Sequence, residues 1–173
     1  AAFMGKIMEV LGDPRNSWLG VGMPWLYHGT SAFRAKNIIE KGFDPNRVGE
    51  LWGAAYGQLK GRSGPGVYLS ETPQDALSWS MSGGAYDPAI VRVFVPKKSI
   101  FEPGERITGN YARSEAAAQA KEQGFQATKF PNEVVIPDPT SIPLRNIKPF
   151  PGPDPKEQEF AREFPSIFKR AGY

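Results

Sequence analysis

Apolar residues recur at helical spacing in five segments of the chain, which predicts five helices. Two of these segments begin with good N-cap residues, Ser31 and Thr72, and Pro73 suits the first position of the second helix. Gly42, Gly83 and Gly124 stand directly after the ends of the second, third and fourth of these segments, as is common where a helix ends. The predicted helices run over 3–11, 32–41, 73–82, 114–123 and 156–170.

Shorter apolar or alternating runs, bounded by Gly, Pro or polar turns, predict strands between these helices. A fold in which short strands and helices are interspersed belongs to the α+β class. Residues 44–65 contain several glycines and show little hydrophobic periodicity, which predicts a long loop. The predicted strands cover 24–27 (ending at His28-Gly29-Thr30), 66–70, 90–95, 125–128, 133–136 and 144–148.

The 173 residues suit one ordinary domain, and the pattern divides them into three parts. Residues 1–24 form an N-terminal helical lead-in, and residues 25–148 form the core. Residues 149–173 combine a stiff, extended, Pro-rich tether with a C-terminal helix, which we expect to pack back on the core through its apolar side.

Composition narrows the chemistry. The absence of cysteine excludes a disulfide framework, a Cys-ligated metal and a cysteine nucleophile, and the single histidine, His28, excludes a multi-His metal site. Neither a signal peptide nor an 18-residue apolar run is visible. The net charge is +3, and the basic residues are scattered rather than clustered in the stripe typical of a nucleic-acid reader.

Three segments place polar groups beside apolar strands. His28 is followed by Gly29, which lets a ligand approach the backbone, and then by a hydroxyl. Tyr68 precedes Trp79 by eleven residues, across a strand and a returning helix that could hold the two rings as a slot for a flat heterocycle. Glu133 opens an apolar strand, where a carboxylate can stabilise an oxocarbenium-like sugar. Each segment alone is also compatible with an ordinary structural role.

Together, LYHGTS, the helix ending in KGF, GVYLS and NEVVI resemble the ADP-ribosyltransferase family, in the His-Tyr-Glu branch of diphtheria-type toxins and poly-ADP-ribose polymerases. The resemblance covers about residues 25–148. It implies a split antiparallel β-sandwich with flanking helices and NAD⁺ in the cleft, used as co-substrate without a metal.

The resemblance also implies roles for individual residues. His28 would bind the adenosine ribose, and Glu133 would bind the 2′-hydroxyl of the nicotinamide ribose and stabilise positive charge as the glycosidic bond breaks. The other implied contacts are the Gly29 backbone on the carboxamide, Thr30 or Ser31 on the adenosine side, Tyr68 and Trp79 around the nicotinamide ring, and Arg62 on the pyrophosphate.

Three positions depart from the family pattern. Trp79 replaces a tyrosine, which keeps the stacking surface and loses a hydroxyl. Pro131 stands where arginine-modifying relatives carry Glu or Gln, which disfavours an arginine acceptor. Ala76 replaces the serine of the polymerases and argues against chain elongation.

These observations predict a mono-ADP-ribosyltransferase of the toxin, effector or phage type with a macromolecular acceptor, protein in preference to nucleic acid. Such an enzyme would be secreted or injected, would act in a target-cell cytoplasm, and could have an immunity protein as a partner. An NAD⁺ glycohydrolase with water as acceptor and a non-catalytic binding module on the same fold remain alternatives. A tRNA 2′-phosphotransferase is disfavoured because only one histidine is present.

Overall fold

A computed structural model describes residues 25–47, 66–103, 110–131 and 133–168. The predicted helix over 3–11 and most of the predicted loop over 44–65 lie outside these residues. In the described part of the chain, seven strands form two sheets and five α-helices pack around them, so the α+β class is confirmed.

The first sheet has three antiparallel strands in the order β1-β3-β7, and the second has four in the order β2-β6-β5-β4. The second sheet is mixed, because β4 pairs with β5 in parallel. The expectation that both sheets are purely antiparallel is therefore wrong. The strands are β1 (Trp25–Ser31), β2 (Val67–Leu69), β3 (Pro88–Phe94), β4 (Ile100–Phe101), β5 (Ala127–Phe130), β6 (Glu133–Ile136) and β7 (Ile147–Pro149).

The main core lies between the two sheets and under the first helix. Leu26 of β1 and Val93 of β3 contribute from one sheet, while Leu69 of β2 and Ile136 of β6 contribute from the other, and all four are nearly or fully buried. Alternation along each strand sends the intervening side chains to the opposite faces, which the helices cover. The helices are α1 (Ala32–Lys41), α2 (Pro73–Ser82), α3 (Asn110–Glu122), α4 (Pro155–Glu163) and α5 (Pro165–Phe168).

Capping residues set the ends of α1 and α2 as the sequence predicted. The Ser31 hydroxyl accepts a hydrogen bond from the Arg34 amide, and the Thr72 hydroxyl accepts one from the Asp75 amide. Gly42, at φ 86°, ends α1 in a conformation that a residue with a side chain rarely adopts.

Several predicted boundaries moved. Strand β1 continues through the residues at which it was expected to end, because they pair with β3 as far as Ser31. Strand β5 begins two residues later than predicted, and Leu144–Asn146 is a 3₁₀ turn rather than strand. Helix α3 begins at Asn110, four residues before its predicted start.

The C-terminal segment does not behave as the predicted tether and single helix. Phe150 is fully buried against Tyr27 and the last two helices, so the chain after β7 packs on the core. The helical stretch is interrupted at Phe164, because a proline at position 165 disfavours the α conformation in the residue before it. The expectation that this segment packs back through its apolar side is confirmed.

Candidate functional site

Among the described residues, one backbone bridge joins the two sheets, and their strands do not pair beyond it. The Tyr27 amide donates to the Ser70 carbonyl at 2.9 Å, and the Ser70 amide donates to the Tyr27 carbonyl at 2.7 Å. Beyond this bridge, β1 stays with β3 and β2 stays with β6. The residues next to the bridge, His28 on one strand and Leu69 and Tyr68 on the other, therefore border an opening between the sheets.

The registers show which side chains share a face at this opening. Tyr68 pairs with Val135 across β2 and β6, and continuing the register by one step sets Glu133 across from Ser70. Because paired residues share a face and alternate residues return to it, Tyr68, Glu133 and Gly29 lie on one face. His28 lies on the opposite face, among the residues turned towards the main core.

The backbone of Gly29 is turned towards the opening. Tyr27 directs its amide and carbonyl to β2, whereas Ala32 donates its amide to Asp87 beside β3 at 2.7 Å. Backbone polar groups alternate in direction along a strand, so the amide and carbonyl of Gly29 point away from β3, towards the side on which β2 no longer pairs with β1. One donor and one acceptor thus stand side by side at the opening.

Gly29 also determines how close α2 approaches. A Cβ atom at this position would lie 1.8 Å from the Ala76 carbonyl oxygen and 3.1 Å from the Ser80 nitrogen. The Ser80 hydroxyl donates to the Thr30 carbonyl at 2.5 Å, which fixes the helix to the strand. The sequence suggested a ligand-binding role for this glycine, and the packing of α2 is a second reason that it has no side chain.

His28 is held as a neutral donor–acceptor. Its Nδ1 lies 3.0 Å from the Tyr68 carbonyl oxygen, and since a carbonyl only accepts, Nδ1 carries the proton. Loss of hydration in this half-buried position lowers the pKa of the imidazole below 6.5, more strongly than the hydrogen bond raises it, and the nearby Arg34 charge lowers it further. Phe43 packs edge-on against the ring at 5.1 Å. In the neutral form, Nε2 is left as an acceptor.

A cleft of about 320 Å³ opens on the His28 side of the strand, between β1, α1 and the start of β2. Thr30, Arg34 and Asn37 line it, so hydroxyl, guanidinium and amide groups surround the imidazole. Lys41 and Arg47 also line the cleft, together with Asp44, whose Oδ2 lies 3.8 Å from Arg47 Nε. Three cationic side chains against one carboxylate leave the cleft with an excess of positive charge, which suits a polar ligand that carries negative charge.

The two aromatic residues of the expected slot stand on the face opposite this cleft. Tyr68 is half-buried and packs against Ala116, Phe130 and Val135 beneath α3. Trp79 lies on α2 between the two residues that meet Gly29, and its exposed fraction is 36%. Strand β2 and helix α2 thus carry one ring each on the face that also holds Glu133.

Glu133 is tied to a residue that the sequence did not single out. Arg113 of α3 donates from Nη1 to Glu133 Oε1 at 2.5 Å, with exposed side-chain fractions of 9% and 12%. The guanidinium also lies over the Phe130 ring, 4.8 Å from its centroid. The predicted helix over 114–123 left this arginine just outside its start. Its helical phase with Ala116 and Ala120 was the signal that it faces the sheet.

One predicted site residue lies outside the described residues, and another has a role other than the expected ligand contact. Arg62 lies outside the described residues. Ser31 caps α1 and is not among the residues that line the cleft. A second cavity, of about 300 Å³, lies beside Met81 and Tyr86 and contains none of the predicted site residues.

The described residues contain no group of three His, Cys, Asp or Glu side chains that could hold a metal ion. None of their helices is both long enough and apolar enough to cross a membrane.

Comparison with known proteins adds no family to this picture. No protein-family model matches the sequence, and no curated protein matches it.

Proposed function

We propose that this protein is a mono-ADP-ribosyltransferase, which cleaves NAD⁺ at the nicotinamide glycosidic bond and transfers ADP-ribose to a macromolecular acceptor. The observation that carries the proposal is the separation of β1 from β2 after the Tyr27–Ser70 bridge. His28 and Gly29 of β1 and Tyr68 of β2 lie next to that separation, and the strand register sets Glu133 on the same face as Gly29 and Tyr68.

The face with Gly29 and Tyr68 has the groups that a nicotinamide needs. A carboxamide offers one carbonyl acceptor and one NH₂ donor, and the adjacent amide and carbonyl of Gly29 complement both. An aromatic ring on β2 and another on α2 supply stacking surfaces for a cationic pyridinium. This face is assigned to the nicotinamide half of the dinucleotide.

The opposite face suits the adenosine half. Nε2 of neutral His28 accepts a hydrogen bond from a ribose hydroxyl, because the hydrogen bond to the Tyr68 carbonyl holds the imidazole proton on Nδ1. Arg34, Lys41 and Arg47 outnumber the one carboxylate of the same cleft, that of Asp44, and the remaining positive charge favours a ligand with a pyrophosphate. A dinucleotide that passes through the opening would place one half on each face.

Glu133 is assigned the chemical role. When the bond between ribose C1′ and the pyridinium nitrogen breaks, its electron pair goes to the nitrogen, nicotinamide leaves as a neutral molecule, and positive charge develops on the ribose. The carboxylate of Glu133 accepts a hydrogen bond from the ribose 2′-hydroxyl and stabilises the positive charge on the ribose. The acceptor nucleophile then bonds to C1′ and loses its proton.

Nicotinamide release from NAD⁺ by the pure protein, with and without cell lysate, tests the proposal. We expect lysate-dependent release, with label from adenine-labelled NAD⁺ in a macromolecular band. Glu133→Gln should lower turnover roughly 10²–10³-fold while NAD⁺ still binds, since preorganised charge acts mainly on the transition state. His28→Ala and Tyr68→Ala should weaken NAD⁺ binding as well.

The matched control is Glu115→Gln, which removes an exposed carboxylate from α3 and should leave turnover unchanged. Rapid release without any macromolecule would instead identify a glycohydrolase. No release at all, or a Glu133→Gln variant that turns over like the unsubstituted protein, would refute the proposed mechanism.

A further inference from the structure

Arg113 is a buried cation placed against the acid to which the chemistry is assigned. It lies on α3, in helical phase with Ala116 and Ala120, and all three are nearly buried. This face of α3 covers the outer surface of the second sheet, where Phe130 and Val135 complete the contact. An arginine in an apolar helical stripe needs a specific partner, because an unpaired buried charge is strongly destabilising.

Two groups fix the position of that charge. Nη1 of Arg113 donates to Glu133 Oε1 at 2.5 Å, and the guanidinium plane rests 4.8 Å from the centroid of the Phe130 ring. Phe130 is the direct cross-strand partner of Glu133 in the β5–β6 pair. The ring and the carboxylate are therefore held side by side by the sheet, and the guanidinium bridges them from the helix.

The pair leaves the acid able to act. A carboxylate has two oxygens with about four lone-pair positions, so one bond to arginine leaves capacity for a ribose hydroxyl. A buried ion pair of this kind gives little net stability compared with apolar side chains of similar volume. Its more specific effect is on geometry, because it restricts the torsions of a flexible Glu side chain at the edge of the opening.

We propose that Arg113 is a positioning residue for Glu133, which holds the carboxylate in the orientation that meets the ribose hydroxyl. This inference rests on the proposed function and deepens it, since it adds a group that acts on the reaction through the acid. It predicts that the contribution of Arg113 to turnover disappears when the acid is already lost.

The experiment is a double-mutant cycle on nicotinamide release, with Arg113→Met in the unsubstituted and Glu133→Gln backgrounds. Loss of orientation should lower kcat about 10–100-fold in the unsubstituted background, with KM for NAD⁺ changed less than about 3-fold. In the Glu133→Gln background the same substitution should lower kcat less than about 3-fold, because the two residues act as a unit.

Two further variants separate this role from a structural one. Arg113→Lys keeps the positive charge but not the planar guanidinium fork, so its kcat should lie between those of Arg113→Met and the unsubstituted protein. This variant also allows the test to be made if Arg113→Met does not fold. Lys129→Met removes a cation paired with Glu71 from the same sheet, at 3.1 Å, and should leave kcat unchanged. Thermal unfolding of each variant gives the folded fraction for correction.

The inference is overturned if corrected kcat is unchanged in both Arg113 variants, or if Arg113→Met costs as much in the Glu133→Gln background as without it. An effect confined to KM for NAD⁺, with kcat unchanged, would also overturn it. An unsubstituted protein that releases no nicotinamide refutes the proposed function itself, and this inference with it. Turnover that depends on Glu133 but not on Arg113 refutes the inference alone.

Discussion

The buried carboxylate of Glu157 makes a sharp prediction about stability. Its exposed fraction is 1%, and it accepts hydrogen bonds from the Tyr27 hydroxyl and from the Gly152 amide, each at 2.7 Å. Nε of the buried Arg92 lies 3.6 Å from the same carboxylate. This cluster joins helix α4 to β1 at the residue directly before His28.

Glu157→Ala would remove the anion and leave the Arg92 guanidinium buried without it. Breaking a buried ion pair from one side costs about 3–5 kcal/mol, because the remaining charge stays desolvated. For a protein of this length, each kcal/mol lowers Tm by about 2–4 °C, so a decrease of about 6–20 °C follows. The Tyr27 hydroxyl and the Gly152 amide, which also lose their acceptor, move the expected value towards the upper end.

Urea unfolding at constant pH, followed by circular dichroism, measures this loss as a change in midpoint with the slope held constant. Glu159→Ala is the matched control, since it removes an exposed carboxylate from the same helix and should change stability by less than about 0.5 kcal/mol. The double variant Glu157→Ala with Arg92→Met should be less destabilised than the sum of the two single variants. A Glu157→Ala protein within about 1 kcal/mol of the unsubstituted one would refute the assigned role of the cluster.

Three further predictions concern the opening between the sheets. Gly29→Ala should lower both Tm and NAD⁺ affinity, because its Cβ would meet the Ala76 carbonyl oxygen at 1.8 Å. Gly83→Ala should lower Tm much less, because its Cβ would lie 3.3 Å from the nearest atom, the Trp79 carbonyl oxygen, and equal effects of the two would contradict this packing. The free energy of unfolding should fall as the pH drops below 6.5, because His28 binds a proton in the unfolded chain more readily than in the folded protein, where its pKa is lowered. His28→Gln should therefore flatten this part of a profile of urea midpoint against pH. An unchanged slope in that variant would assign the effect to other groups. Ser31→Ala should cost about 0.5–2 kcal/mol by removing the cap of α1, with turnover retained once the folded fraction is corrected, and a proportionally larger loss of turnover would give the hydroxyl a direct role in the site.

Local signals in the sequence predicted much of the secondary structure. Ser31 and Thr72 cap the helices that were expected to follow them, and the β6 segment has the bounds that its apolar run indicated. These features depend on residues near one another in the chain. The C-terminal helical stretch was predicted as one element, although the proline at position 165 was a local signal for its interruption.

The start of α3 shows where local reasoning ended. Residues 110–113 have no apolar stripe of their own, so the sequence predicted that the helix begins only at residue 114. They are helical in the folded chain, where Arg113 contacts Glu133 and Phe130 on the sheet. The helical phase of Arg113 with Ala116 and Ala120 indicates which face of the helix it takes, but its ion-pair partner lies twenty residues away, and no local pattern identifies that partner.

The sequence by itself determined the α+β class, most of the helices and strands, and the residue types that could carry chemistry. The tertiary structure decided how these residues stand relative to one another: that β1 and β2 do not pair beyond one bridge, that the side chains of His28 and Glu133 lie on opposite faces, and that an arginine holds the acid. The physical reason is that caps and periodicity act within a few residues, whereas strand register and buried ion pairs form between segments that only the folded chain brings together.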